Sequence, residues 1–331
     1  MSFEVAHQVL TDLQDQIQIE PEWLREHEHG FEWWPGWLGQ RIWLVPYIDD
    51  DGGIARLHIE SDFLRSVPAN EKTLELVAFG NRLTTFSSLV FSPDDHTVRL
   101  HASFCITPDN AKSLPQLARI VAWMQMADAD AKSTGLAPVF GGDPDFTNHP
   151  LSGRRPLGHM ALHTLELLRD ENASAPNLSE VDFTPLKNLD PSPWIVSMAG
   201  KGGMTAELPF IDNTPALLAF AAGDDSGPRT ALFQATTDFD HLQLGQGVLF
   251  RLTLPIGQGA ELANRLNLAE ASAHGIPGAH QLGAWCSRES DVVFATFVAA
   301  SLFDRGLFEC LAWGAGRRAA WARDLLVRGA E

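Results

Sequence analysis

Cysteine is scarce in this chain: there are three in 331 residues, Cys105, Cys286 and Cys310. The number is odd, the three lie far apart, and none forms a CxxC pair. This excludes a disulfide framework and a cysteine-based structural zinc site. Buried, inert thiols are expected instead. Positive charge is short as well. Lys and Arg total 24 against 42 Asp and Glu, a formal net charge of −18. Such a surface repels phosphate backbones and anionic headgroups, so neither nucleic acid nor a membrane is expected as a partner. It suits solubility, and it suits basic or apolar clients. No apolar run approaches the roughly 18–20 residues of a membrane span. The opening "MSFEVAHQVLTDL" has neither a basic n-region nor an apolar h-region. A cytoplasmic location is the expectation. Enzyme signatures are missing too. No G-x-S-x-G elbow occurs, and "AGKGGMT" (199–205) is not a phosphate loop, because Gly202 follows Lys201 where Ser or Thr is needed. No catalytic residue, metal site or cofactor is expected.

What is present is enough apolar material for a large core, at 45% hydrophobic and 20% charged residues. The length suggests about two domains. Phe3, Ala6, Leu10, Leu13 and Ile17 step by three and four, which is one face of a helix over 3–19. "IWLVPYI" (42–48) reads as a strand, with Pro46 at an edge or bulge. "DDDGG" (49–53) reads as a turn and "IARLHIE" (54–60) as the strand that pairs back. Asn70 offers an N-cap for a helix over 71–84. "SSLVFS" and "TVRLHASFCI" flank a turn at 93–96. The second of these is two-faced: Val98, Leu100, Ala102, Phe104 and Ile106 point to a core, while Thr97, Arg99, His101, Ser103 and Cys105 point to a more polar layer. A helix over about 109–132 follows.

The Gly-, Pro- and Asn-rich stretch 134–155 reads as a linker. A helix pattern starts near Pro156, and 174–193 is irregular. Strands are expected at 204–210, 229–236 and 247–254, a helix at 257–270, a hairpin around "SRES", and a closing helix at 305–327. The strand within 291–303 is apolar on both sides and should be covered on both.

Asn81-Arg82-Leu83 ends the helix of the first half. Asn264-Arg265-Leu266 ends the corresponding helix of the second, 183 positions later. Each half reads helix, three strands, helix, two strands, helix. The expectation is an α+β protein made of a duplicated unit, with residues 1–133 as the first unit, 134–155 as the linker and 156–331 as the second.

"LELVAFGNRL" running into "SSLVFSPDDHTVRLHASFCI" and then "LPQLARIVAWMQMADAD", with Asp128 and Asp130 at its acidic end, resembles the YbjN family. That family shares its fold with type III secretion chaperones of the CesT kind. The resemblance is to a tandem, actinobacterial-type branch described as peptide-binding chaperones. It covers 71–131 best and 229–327 more loosely. It implies a non-enzymatic role in binding a peptide or protein client. It also implies a monomer with an internal pseudo-dimer, or a homodimer. The alternatives are a regulatory protein acting through a stable complex and a metal-dependent hydrolase.

The candidate client-binding residues are Trp33, Trp34, Trp37, Arg99 and His101. Half of the ten tryptophans fall between 23 and 43, and rings beside a few polar groups desolvate well. Packing between the first helix and the sheet is the competing reading. Asn81, Arg82, Asn264 and Arg265 suit the last carbonyls of their helices; an arginine there could also hold a client carboxylate. "EHEHG" (26–30) is not HExxH. Its histidines share a face only on a strand, with His58 or His101 as a possible third ligand, so a solvated turn is the plainer reading.

Overall fold

The computed structural model of the chain describes residues 2–46, 54–82, 85–156, 178, 195–199, 203–209, 230–241, 244–254, 256, 259–272, 274–276, 278–288 and 291–328. The "DDDGG" turn lies outside these residues. So do the helix expected after Pro156 and, apart from Leu178, the irregular stretch 174–193. The fold is α+β with antiparallel sheets, divided into two compact units. Unit 1 takes Met1–Val77, Phe86–Leu167 and Asn267–Leu282; unit 2 takes Ala78–Thr85, Leu168–Leu266 and Gly283–Glu331. Each unit is therefore completed by a segment from the other half of the sequence.

Unit 1 begins with α1 (Ser2–Ile17). Four strands follow where three were expected: β1 (Leu24–His27), β2 (Gly30–Trp33), β3 (Gln40–Pro46) and β4 (Ala55–Arg65). β1 and β2 escape a periodicity search because β1 is a short, charged and largely exposed edge strand. Gly30 opens β2 because a Cβ there would meet the Ile42 carbonyl oxygen at 2.3 Å. α2 (Glu71–Gly80) starts under the expected cap, with the Thr73 N–H donating to Asn70 Oδ1 at 2.9 Å. β5 (Ser88–Ser92) and β6 (Thr97–Ile106) form the expected hairpin, but β6 is the inner strand. The sheet order is β1-β2-β3-β4-β6-β5.

α3 (Leu114–Phe140) then runs through the first part of the expected linker. Pro138 sits in its last turn, and Gly141 at φ 72° gives the left-handed cap, its N–H bonding the carbonyls of Ala137 and Pro138. Beyond it, β7 (Asp143–Pro144) pairs with the end of β4. Gly142 is needed there because a Cβ would lie 2.5 Å from the Arg65 carbonyl oxygen. The stretch 134–155 is thus part of unit 1 and not a linker. Its glycines and proline serve a helix end and a close strand contact.

One face of this sheet carries Ile42, Leu44, Leu57, Ile59, Leu100, Ala102 and Phe104, all buried, with α1 and α3 packed on the sheet. Each such aliphatic group stabilises by about 1.5–3 kcal/mol. A polar knot sits within this layer. The Trp33 indole donates to Gln40 Oε1 at 2.7 Å, Gln40 Nε2 donates to Ser61 Oγ at 2.9 Å, and Ser61 Oγ donates to Gln125 Oε1 at 2.7 Å. Buried amides are tolerated because their hydrogen bonds are made.

Unit 2 contains β8 (Ile195–Ala199), β9 (Gly203–Pro209), β10 (Thr230–His241), β11 (Gly245–Leu254), α4 (Gly259–Glu270), β12 (Ala284–Arg288), β13 (Asp291–Ala299) and α5 (Arg305–Arg328). Here too the meander has four strands, and the sheet order is β8-β9-β10-β11-β13-β12. Its packed face carries Phe233, Phe250, Leu252 and Phe294. Phe308 of α5 lies against Phe250 at a ring separation of 5.2 Å. β13 is buried along its length except at Asp291 and Ala295.

Candidate functional site

The tryptophan segment is packed rather than presented. Trp33 is buried with its ring edge-on to Trp123 at 5.1 Å. Trp34 is buried, donates to Thr147 Oγ1 at 3.1 Å and lies edge-on to His149 at 5.0 Å. Trp37 is half-buried. It donates to the Arg155 carbonyl at 3.1 Å, meets Phe146 at 5.2 Å and carries the Arg154 guanidinium 4.1 Å above its ring. The expected client surface at Trp33 and Trp34 is corrected on this point. Residues 141–155 fold back over Trp34 and Trp37 and accept their indole N–H groups, while the Trp33 indole donates to Gln40 within the sheet layer.

His101 is also buried, and the reason lies on the second face of the unit 1 sheet. Strand alternation puts Arg56, His58, Glu60 and Asp62 of β4 on that face. The register sets them beside Cys105, Ser103, His101 and Arg99 of β6. At one end the face is closed by residues 275–281. Arg56 is fully buried and donates to Ser103 Oγ at 2.9 Å, to the Ala279 carbonyl at 3.1 Å and to the Ile276 carbonyl at 2.5 Å. Gly275, at φ 53°, makes this possible, since a Cβ there would stand 2.7 Å from the guanidinium carbon. β5 pairs with β6 only as far as His101. Beyond that point Gln281 exchanges backbone hydrogen bonds with Ser103 at 3.2 and 2.7 Å, and the Cys105 N–H donates to His280 Nδ1 at 3.0 Å. The segment therefore fills the edge of β6 that β5 leaves open.

Under it, His58 Nδ1 and His101 Nε2 are 3.1 Å apart, and Trp43 stacks on His58 at 4.9 Å. Burial drives the His101 pKa down to about 3; the Arg56 charge adds to this and Gln281 opposes it. His101 is therefore neutral at ordinary pH, and with residues 275–281 in place both rings are buried and neither is open to a substrate.

The other end of the face is partly open. Arg41 bonds Glu60 at 2.6 Å and lies 3.6 Å from Asp62, while Arg99 lies 3.6 Å from Glu60. Thr147 Oγ1 donates to Asp62 Oδ2 at 3.3 Å. Burial raises the Asp62 pKa to about 6; Arg41 lowers it, and the carboxylates of Asp145 and Glu60 raise it. Of the five candidate residues, only Trp37 and Arg99 keep solvent-facing surface. Arg56, His280 and Gln281 are the residues that sequence reasoning missed, and His58 entered it only as a possible metal ligand. The polar alternation of "ARLHIESD" opposite Arg99, His101 and Ser103 was the available signal, since it marks a second layer over the sheet.

The remaining candidates are dispersed. His27 and His29 belong to the β1–β2 hairpin: His27 lies 3.6 Å from Glu32, and His29 rests against Phe3 and His7. No group of three or more His, Cys, Asp or Glu suited to a metal occurs among the described residues. Asn81 and Asn264 are buried, while Arg82 and Arg265 are exposed. Arg82 does not close its own helix; its guanidinium donates to the Ser287 carbonyl of β12. Asp128 pairs with Lys132 at 2.9 Å, and burial raises the Asp130 pKa.

What the fold defines is an α+β protein of antiparallel sheets in which no described helix is long and apolar enough to cross a membrane. No protein-family profile matches the chain, and neither a curated protein nor a solved structure matches it.

Proposed function

We propose that the chain is a tandem of two copies of one YbjN- or type III secretion chaperone-like unit, and that it binds a peptide or protein client in the cytoplasm without turning it over. The observation that supports this is the shared strand order. In each sheet four strands form a meander, the fourth pairs with the sixth, and the sixth pairs with the fifth. A helix precedes the fifth strand and another follows the sixth in both cases; Asn81 directly follows the first of these helices while Asn264 lies inside its counterpart and does not end it as expected, and both are buried. A sixfold element order with the same out-of-sequence pairing is hard to reach twice by chance. In unit 1 the client meets the open end of the polar face, with Arg41, Trp43 and Arg99, and the half-exposed Trp37. Trp33, Trp34 and His101 act as support.

The test is a pull-down with the intact chain, followed by peptide identification and an aggregation-suppression assay with a model client. Enrichment of unfolded or peptide segments and slower aggregation are expected. Recovery of one folded, stoichiometric partner would move the reading to a regulatory complex. No recovery above empty resin, together with unchanged aggregation, would end it.

A further inference from the structure

In unit 1, Trp37 and Phe146 form a corner that holds a cation of the chain's own. The two rings meet edge to face, with centroids 5.2 Å apart and planes at 77°. The Arg154 guanidinium carbon stands 4.1 Å from the Trp37 centroid and 5.4 Å from that of Phe146. The walls are braced. The Trp37 indole donates to the Arg155 carbonyl at 3.1 Å, and the Thr147 N–H donates to the Trp37 carbonyl at 3.0 Å. The Asp145 N–H donates to the Phe63 carbonyl at 3.0 Å, which fixes the backbone beside Phe146. Arg155 is tied in turn to the Trp34 carbonyl at 2.8 Å and to Glu20. Both rings nevertheless keep solvent-facing surface. Arg154 differs from Arg155. It is exposed, and among the described residues its guanidinium makes no hydrogen bond or ion pair. Two ring faces hold it, and its N–H donors face water. A Cβ at Gly36 would lie 3.8 Å from Asp130 Oδ1, so a carboxylate stands beside the residue that precedes Trp37.

We propose that this corner is the receptor for an arginine side chain of a basic client segment, and that Arg154 occupies it as an internal stand-in which the client displaces. This deepens the peptide-binding reading and rests on it. The seated Arg154 shows which chemistry fits: a flat cation lying on an indole face, where the ring's negative face attracts it and its donors stay hydrated. The exchange is cheap. An incoming arginine gains the two ring contacts that Arg154 gives up, and Arg154 returns to water without leaving a polar partner unpaired. The balance tips towards the client because a basic segment is drawn to a chain of net charge −18 and adds contacts beyond the corner. Lysine is a poorer occupant, because its ammonium is a strongly hydrated point charge with no plane to stack.

The experiment uses the full chain and three labelled peptides that differ only in a central Arg, Lys or citrulline, the last keeping the planar shape without the charge. Fluorescence anisotropy is the readout. The Arg peptide should bind best and lose affinity as salt is raised. Arg154→Gln should tighten it about threefold or more, because the internal competitor is gone. A folding defect does not produce that gain, and the exposed side chain should leave the melting temperature unchanged. Trp37→Ala should weaken the Arg peptide about tenfold, with Trp37→Phe in between. Arg-peptide affinity that is unchanged or weaker in Arg154→Gln overturns the stand-in role and leaves peptide binding in place. Equal affinity for the Arg and citrulline peptides, or preference for Lys, overturns the arginine receptor in the same way. Competition by free arginine amide as strong as that by the Arg peptide assigns the corner to a small cation and overturns the segment as occupant. If no peptide binds while the pull-down recovers clients, the receptor fails alone; if both fail, the peptide-binding reading fails with it.

Discussion

At the scale of single residues, two buried titrating groups in unit 1 pull the pH profile of stability in opposite directions. The folded pKa of His101, about 3, lies below the ordinary 6.5. The unfolded chain therefore binds the extra proton, and the contribution of His101 falls as pH drops from about 6.5 towards 3. The folded pKa of Asp62, about 6, lies above 3.8. Its contribution is fully present below 3.8 and is lost as pH rises through 6. At about 1.4 kcal/mol per pKa unit, ionised Asp62 costs the fold roughly 3 kcal/mol at neutral pH. Asp62→Asn should therefore raise the urea midpoint at pH 7 by the equivalent of about 1–3 kcal/mol and change it little at pH 3.5. Equal destabilisation at both pH values would mean that the Arg41 and Thr147 contacts outweigh burial. The tryptophans divide at the same scale. Trp33→Ala should cost about 3–5 kcal/mol of stability, because it empties a packed site and orphans Gln40. Trp37→Ala should lower client capture with a smaller drop in melting temperature, since its ring is only half-buried. Similar melting temperatures for the two variants would contradict that division.

At the scale of elements, the segment 275–281 works as the missing stretch of an edge strand, and its glycine is set by one guanidinium. Gly275→Ala places a Cβ 2.7 Å from Arg56 Cζ at a φ of 53°. The loop must shift, and Arg56 then loses carbonyl partners while remaining buried, so a cost of about 2–4 kcal/mol is expected. Gly245→Ala is the control, with a φ of 71° but nothing within 4 Å of the added methyl. It should cost only about 1 kcal/mol. Thermal melts of the two variants check the difference, and a Gly275→Ala protein as stable as Gly245→Ala would show that the Arg56 contact matters little. Much of this level was legible beforehand. The two hairpins before the last helix of each half, the Asn70 cap and the two middle helices appear where periodicity and capping put them. β1 and β2 were not legible, because a charged edge strand carries no apolar alternation. The linker was misread because Gly and Pro mark helix ends and close contacts as readily as they mark flexible joints.

At the scale of the whole molecule, each unit owes a segment to the other half of the sequence, so halves cut at 133 or 156 are incomplete. Residues 1–156 alone should lack a cooperative melt, because without residues 275–281 the edge of β6 at Ser103 loses its partner and the face that carries Arg56, His58 and His101 loses its cover. Fusing residues 267–282 to the end of that fragment should restore cooperativity. A fragment that melts cooperatively without the fusion would show that unit 1 is complete in itself. Sequence alone determined the mixed α+β class, the net acidic charge and many of the helix and strand faces, since each depends on composition or on neighbours a few residues apart. Only the tertiary structure decided that Trp33, Trp34 and His101 are interior, that Arg56 is gripped by carbonyls more than two hundred positions away, and that Gln281 pairs with the edge of β6 at Ser103. Those outcomes depend on which strand lies beside which and on what covers the sheet, and no local pattern in the chain encodes contacts made across such distances.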